Sequence, residues 1–350
     1  MIYLLKTKNI FRVFLGFVIM SYQAFLVTFI PRAFQKSSSL NPSFSFLHIV
    51  FTSCLIIICL LVFLWFYFNN KEKFLAILRN LRISRVTNNI VLLGLGLYLG
   101  GVRTFDLNFG DVMLITLAVI SLLFYWFSAV GYDDLSDEKI DKISNPFRPL
   151  PAGKFTREEF RSLSNIFLMT SYFTAFAVGY IFFIFILLRS FVGYLYYTPP
   201  LRLKRFPVLA TFTRGLAFLL TIYAGFLLIS TNTIFDFPGK LALFVLVAFT
   251  LGITVKDIKD YQGDKADEVY TIPVIFGLEK GKKIIGLLAF TSFILCPIFF
   301  FDYFKILIFP AFLSGALSFW LIRGKMANWK STCLFLIYFS YGLFFIFTVF

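Results

Sequence analysis

Residues 112–141 read VMLITLAVISLLFYWFSAVGYDDLSDEKID, and this stretch decides the fold. Residues 112–132 carry no charge and are almost wholly apolar, enough to cross a bilayer core, which takes about 20 such residues. At residue 133 the character switches, and Asp133, Asp134, Asp137 and Asp141 follow in quick succession. On a continuous helix these four fall within an arc of about 100°. A membrane helix ending in a one-sided carboxylate face is therefore the first expectation.

Working outward, the rest of the chain repeats the apolar theme. Of 350 residues 59% are hydrophobic and only 15% charged, which excludes a soluble globular enzyme and a disordered chain. Further apolar runs are read at 10–30, 46–68, 86–102, 162–179, 181–198, 207–230, 241–257, 283–301, 304–323 and 332–349, predicting eleven spans in all. The pair meeting at Gly179 has almost no loop. Run 10–30 is too long and too aromatic for a signal-peptide core. Most Lys and Arg residues fall into loops on one side of this arrangement, which predicts that those loops face the cytoplasm of a plasma membrane. The net charge of +15, from 33 Lys+Arg against 18 Asp+Glu, then reads as a membrane-facing basic rim and not as a nucleic-acid surface. Cys54, Cys59, Cys296 and Cys333 show no metal or disulfide spacing, and the single histidine, His48, excludes zinc sites that need several.

The acids are concentrated. A second set, Asp257, Asp260, Asp264, Asp267, Glu268 and Glu279, begins where run 241–257 ends, on the same predicted membrane face. Its four aspartates again share a narrow helical arc. Clustered carboxylates repel one another, so a cation must offset them. Oxygen ligands without His or Cys suit Mg²⁺, Mn²⁺ or Ca²⁺. The competing reading is a solvated loop neutralised by Lys139, Lys142, Lys259 and Lys265. Cations beside the acids fit a polyphosphate: Arg148 in the proline-stiffened segment 145–151, Lys256 before Asp257, and Arg202, Lys204 and Arg205 after Tyr196-Tyr197-Thr198-Pro199-Pro200. Positive-inside anchoring is the plainer account of the last group.

At these residues the chain resembles the UbiA superfamily of intramembrane prenyltransferases. Asp133-Asp134-Leu135-Ser136-Asp137-Glu138-Lys139-Ile140-Asp141, followed by Asn145-Pro146-Phe147-Arg148-Pro149, is similar to the family's first motif, N/D-D-x-x-D-x-x-x-D with its Pro-Arg-Pro stretch. Lys256-Asp257-Ile258-Lys259-Asp260-Tyr261-Gln262-Gly263-Asp264 resembles the second, K-D-x-x-D-x-x-G-D. Between them lies Tyr197-Thr198-Pro199-Pro200-Leu201-Arg202-Leu203-Lys204-Arg205, matching the family's Y-S/T-P-P-L-x-L-K-R. Asp133 departs from the commoner Asn but keeps an oxygen ligand.

The resemblance implies an all-α polytopic membrane bundle, with a nine-helix core over residues 79–350 and two extra N-terminal transmembrane helices within residues 1–78. It implies transfer of an isoprenoid from a prenyl diphosphate donor to a small membrane-associated acceptor, with Mg²⁺ assisting diphosphate release. Asp134, Asp137, Asp257 and Asp260 are then the principal metal-binding and catalytic carboxylates. Asp133, Asp141 and Asp264 are further ligands or orienters. Lys256, Arg148, Lys204 and Arg202 hold phosphate, Tyr197 stands near the diphosphate, and Asn88 or Asn89 lies near the acceptor. Arg82 and Arg85 meet an anionic acceptor or serve as anchors. An aromatic quinone precursor is the first expectation for the acceptor; prenyl-ether lipid and tetrapyrrole acids are the alternatives.

Readings of other classes remain to be weighed. A non-enzymatic cation transporter would carry its acids at mid-membrane, whereas these sit at one face. A phosphatidyl-transferring synthase lacks its D-G-x-x-A-R element here. A terpene-cyclising member of the same superfamily would be revealed by its products.

Overall fold

The structure, a computed structural model, describes residues 44–101, 107, 109–230, 232–267, 269–324 and 328–350. Among them the chain is helical throughout, with no strand. In order, α1 spans Phe44–Asn69, α2 Lys71–Arg79, α3 Ile83–Leu99, α4 Phe109–Ser136, α5 Glu138–Ser144, α6 Arg157–Val178 and α7 Tyr180–Tyr197. Then come α8 Pro207–Phe226, α9 Gly239–Gly252, α10 Asp257–Ala266, α11 Ile272–Phe276, α12 Leu278–Phe299, α13 Phe304–Arg323 and α14 Asn328–Val349. Among the described residues seven helices are long and apolar enough to cross a membrane, or eight if α1 and α2 form one span bent by 120°. The expected spans at 86–102 and 162–179 are also helices. They fall short because α3 has 17 residues and α6 opens with Arg157, Glu158, Glu159 and Arg161. The expected span at 10–30 lies outside the described residues.

Two apolar clusters build the bundle. One joins α3, α8, α9, α12, α13 and α14 through Leu92, Ile222, Leu241, Phe244, Phe293, Leu307 and Phe345. The other joins α1, α3, α4, α6, α7 and α8 through Leu55, Leu93, Leu117, Ala175, Ile186 and Ala224. Helices α3 and α8 belong to both and form the central pair. They approach closely because Gly96 and Gly225 face each other. A Cβ on Gly96 would lie 2.0 Å from the Ile222 carbonyl oxygen, and one on Gly225 2.2 Å from that of Leu93. Small residues supply close backbone contact in a solvent that gives helices little hydrophobic reason to associate. Helices α4 and α6 are pinned by a reciprocal pair, in which Ser121 and Ser171 each donate to the other's carbonyl at 2.9 Å. Outward-facing residues such as Phe309, Phe312 and Phe347 are exposed, as lipid contact requires.

The N-terminal part is joined to this bundle. Leu55 of α1 packs in the second cluster. The boundary expected between residues 78 and 79 falls inside α2, which turns back at its Asn70 cap. Phe74 then packs edge-on against Phe63, Phe66 and Tyr67 of α1. Lys73 pairs with Glu159 at 2.7 Å and Glu72 with Lys154 at 2.6 Å, so α2 is strapped to the segment that follows the first acidic motif.

Candidate active site

Helices α4 and α9 both end where their apolar runs end. Helix α4 stops at Ser136, and Asp137 is the N-cap of the short α5. Helix α9 tightens into a 3₁₀ turn over Ile253–Lys256 before α10 starts at Asp257. The two short acidic helices, α5 and α10, pack against each other. Gly263 permits this: a Cβ there would lie 2.4 Å from Ser144 Oγ and 2.5 Å from Ile140 Cγ2. The glycine of the second motif is thus a packing requirement that brings the two acid sets together.

They meet on one polar cavity, walled by Asp133, Asp137 and Asp141 on one side and Asp257, Asp260 and Asp264 on the other. Cations line it as well, namely Arg82, Arg85, Arg148, Lys204, Arg214 and Lys256. The first motif is already ion-paired. Arg148 donates to both oxygens of Asp141 at 2.5 Å. Lys204 donates to Asp137 and to Ser136 Oγ. Burial pushes the Asp141 carboxyl up to about 6, against the opposing pull of Arg148. Burial and the neighbouring Asp133 carboxylate push Asp137 up, with Lys204 opposing. The second motif is less neutralised: the only ion pair of Asp257 among the described residues is with Lys256 at 3.9 Å.

The structure separates the residues read from sequence into two groups. Asp133, Asp137, Asp141, Asp257, Asp260, Asp264, Arg148, Lys204 and Lys256 line the cavity. Asp134 does not. It is fully buried behind the wall, accepting from Asn80 Nδ2 at 2.6 Å, Arg82 Nη2 at 2.5 Å and Arg148 Nη1 at 3.3 Å. The shared helical arc expected for the first motif is interrupted, because the helix breaks at Asp137. Arg202 also stands aside, donating to the Ser136 carbonyl at 3.1 Å and to Asp267 at 2.7 Å. Tyr197 stacks on Tyr132 and borders two neighbouring clefts. Its neighbour Tyr196 faces the cavity instead, because successive helical residues point about 100° apart. Tyr196 Oη accepts from both Lys256 Nζ and Arg214 Nε at 3.0 Å. Asn88 is half-buried. Asn89 is buried, donates to the Arg85 carbonyl at 2.9 Å and accepts from Arg189.

Several contributors were not assigned from sequence. Tyr196 lay beside a more familiar tyrosine, Asn80 lay in a basic linker, and Arg189 and Arg214 lay inside apolar spans, where a lone charge is itself a signal of function. Backbone strain also marks the site. Among the described residues the two non-glycine residues with positive φ are Arg82 (50°) and Arg202 (37°). Both reach the first motif, and such conformations persist where the surroundings over-determine them.

Comparison with known proteins identifies the family. The sequence profile of the UbiA prenyltransferase family matches residues 89–347. The chain belongs to the UbiA prenyltransferase family. A digeranylgeranylglyceryl phosphate synthase of Methanococcoides burtonii is 30% identical over 48% of this chain, and the match spans 58% of that protein's length. The synthase of the same name from Saccharolobus solfataricus is 28% identical over 56% of this chain and 67% of its own. The chloroplastic chlorophyll synthase of Avena sativa is 29% identical over 49% of this chain and 48% of its own. Among solved structures, a UbiA homolog from Archaeoglobus fulgidus bound to GPP and Mg²⁺ superposes with a TM-score of 0.59 at 22% identity, covering 78% of this chain and 99% of that one. The UbiA fold and the apolar helices make this an integral membrane protein.

Proposed function

We propose that this UbiA-family chain transfers a prenyl group from a prenyl diphosphate to a glyceryl phosphate ether-lipid acceptor within the membrane. The observation that carries the reading is the single cavity in which two facing carboxylate walls alternate with arginine and lysine. A purely anionic site would suit a cation alone. A mixed site suits a diphosphate together with a divalent cation. The relatives support the acceptor: those from M. burtonii and S. solfataricus are named digeranylgeranylglyceryl phosphate synthases. They favour the ether-lipid alternative over the aromatic quinone precursor expected first. The apolar composition offers nothing that would distinguish the two.

The donor set fits Mg²⁺, since every acidic group at the cavity is a carboxylate and no thiol or imidazole intrudes. No three His, Cys, Asp or Glu side chains among the described residues form a complete metal cage. That suits an ion held by one or two carboxylates and completed by substrate phosphate. One or two carboxylates drawn from Asp257, Asp260 and Asp264 on one wall and Asp133 and Asp137 on the other would hold it. Bound there, Mg²⁺ would supply stabilisation of the charge on a departing diphosphate.

The chain's own residues do the rest. Lys256 and Arg214, both tethered by Tyr196 Oη, present positive charge to phosphate oxygens. Arg148 holds Asp141, and Lys204 holds Asp137, so each carboxylate keeps its aim. The allylic C–O bond breaks with its electron pair on the diphosphate. The acceptor hydroxyl oxygen takes its place on carbon and gives up its proton to the departing diphosphate. Asp134 anchors Arg82 and Asn80 to the wall and acts as a positioning residue. The basic loops around the cavity support a cytoplasmic orientation for its mouth.

The test is transfer by the purified full chain in lipid nanodiscs, with labelled geranylgeranyl diphosphate and Mg²⁺. Geranylgeranylglyceryl phosphate and 4-hydroxybenzoate are offered as acceptors. A prenylated glyceryl phosphate in the mass spectrum is expected. Prenylation of 4-hydroxybenzoate alone would overturn the acceptor assignment, and turnover of neither would overturn the reading.

A further inference from the structure

Next to the diphosphate cavity lies a second, less polar chamber, walled by α3, α4, α7 and α8. Its lining includes Tyr125, Trp126, Val192 and Phe218, as a pocket for an apolar chain would. It also includes four guanidinium groups, those of Arg82, Arg85, Arg189 and Arg214. Asp133 is the one carboxylate among the described lining residues, and it pairs with Arg82 at 3.4 Å and Lys204 at 4.0 Å. Arg85, Arg189 and Arg214 have no ion pair among the described residues.

Arg189 is the most informative of these. It sits within the spanning helix α7 and is 3% exposed. Its partners are all neutral. Nη1 donates to Thr221 Oγ1 at 2.6 Å, Nη2 donates to Asn89 Oδ1, and the guanidinium lies 4.8 Å from the Tyr125 ring centroid. Tyr125 Oη in turn donates to the Arg189 carbonyl at 3.1 Å. Arg189 Nε is buried without any hydrogen-bond partner. A buried arginine in a membrane span ordinarily pairs with an acid, because an uncompensated charge there is costly. Here the surroundings fix its position and leave its charge unmet. Arg82, Arg85 and Arg214 also line the diphosphate cavity, so Arg189 is the one guanidinium that lines this chamber alone, and its charge would repel a cationic occupant such as the allylic end of the donor. An anion is the suitable one.

We infer that this chamber is a second anion site that binds the acidic group of the acceptor, with Arg189 as its specificity-determining residue and Asn89 as the residue that positions it. The inference rests on the prenyl-transfer reading and deepens it: the acceptor is a lipid or aromatic molecule carrying a phosphate or carboxylate. Asn89, one of the two asparagines expected from sequence to lie near the acceptor, acts through Arg189, since both ends of its side-chain amide are already engaged. The arrangement accounts for four neighbours at once, because Asn89, Thr221, Tyr125 and Arg189 come from four different helices.

The test uses the full chain in nanodiscs and equilibrium binding of four probes: geranylgeranylglyceryl phosphate, its phosphate-free analogue geranylgeranylglycerol, 4-hydroxybenzoate and geranyl diphosphate. Wild type is expected to prefer the phosphate probe to the alcohol. Arg189→Gln is expected to weaken the phosphate probe by about tenfold or more, the worth of a charged hydrogen bond, while the alcohol and geranyl diphosphate bind as before. Arg189→Lys recovers part of the loss. Asn89→Asp, which sets a carboxylate against the guanidinium in nearly the same volume, reproduces the loss and covers the case in which Arg189→Gln fails to fold. If only 4-hydroxybenzoate binds, and does so in an Arg189-dependent way, the anion site stands and the glyceryl phosphate reading falls. The inference is overturned if the acidic probe binds Arg189→Gln or Asn89→Asp within about twofold of wild type. It is also overturned if Arg189→Gln weakens all probes alike, or if wild type binds geranyl diphosphate but neither acidic acceptor.

Discussion

Asp134 and Asp257 occupy matching places in their motifs, yet their surroundings predict different consequences when they are replaced. The Asp134 side chain is fully buried and accepts from Asn80, Arg82 and Arg148 at 2.6, 2.5 and 3.3 Å. Removing one partner of such a buried ionic cluster costs about 3–5 kcal/mol, because the remaining charges lose their compensation. Arg82 keeps Asp133 at 3.4 Å and Arg148 keeps Asp141 at 2.5 Å, which puts Asp134→Ala near the lower end, at about 3 kcal/mol. Asp257 is also buried, but its nearest cation is Lys256 at 3.9 Å. Neutralising a buried charge that lacks a close partner costs little and can stabilise. Asp257→Asn is therefore expected to melt at or above the wild-type temperature, while turnover falls by about a hundredfold or more. Asp134→Ala is expected to lower the melting temperature by roughly 4 °C. The assay is a thermal shift in detergent beside prenyl transfer normalised to folded protein. If Asp134→Ala melts like wild type and is still inactive, Asp134 works directly in the cavity and the positioning argument fails. A lower melting temperature for Asp257→Asn than for Asp134→Ala would refute it equally.

Chelation by EDTA is expected to stop transfer and added Mg²⁺ to restore it; undiminished turnover in EDTA would sink the metal reading. Tyr196→Phe keeps the ring under Lys256 and Arg214 but removes the shared acceptor, so kcat should fall about tenfold with an unchanged melting temperature. Gly263→Ala places a methyl against Ser144 and Ile140 and should cost about 1–3 kcal/mol while spreading the two acid walls, read as lost stability together with lost activity. The Asp141 carboxyl is raised from 3.8 to about 6 in the fold, so the folded state holds its proton more tightly. That contribution to stability is present below about pH 4 and disappears as pH rises through about 6. Asp141→Asn should flatten the melting-temperature profile across this window, and an unchanged slope would count against the burial argument.

Much of this protein was legible in its sequence. Membrane helices announce themselves because an apolar run long enough to span has no other stable place, and their backbone bonds are satisfied locally. The described spans accordingly fall close to where the hydropathy puts them, and α6 and α7 abut at Gly179 as expected. The two acid motifs were legible for the same local reason, since each follows the end of an apolar run. Side-chain direction was not legible. Tyr196 and Tyr197 differ in sequence by one position and in orientation by about 100°. Asp134 and Asp133 differ likewise, and only one of each pair reaches the cavity.

Hydropathy and charge act on each segment separately, and they alone specify a polytopic helical bundle with two aspartate-rich ends. Only the tertiary structure decided which carboxylates face one another, that Gly263 lets α10 lie against α5, and that Arg189 meets Asn89 and Thr221 from other helices. Those outcomes depend on packing between residues as many as 100 positions apart. No local pattern encodes a distance of that kind.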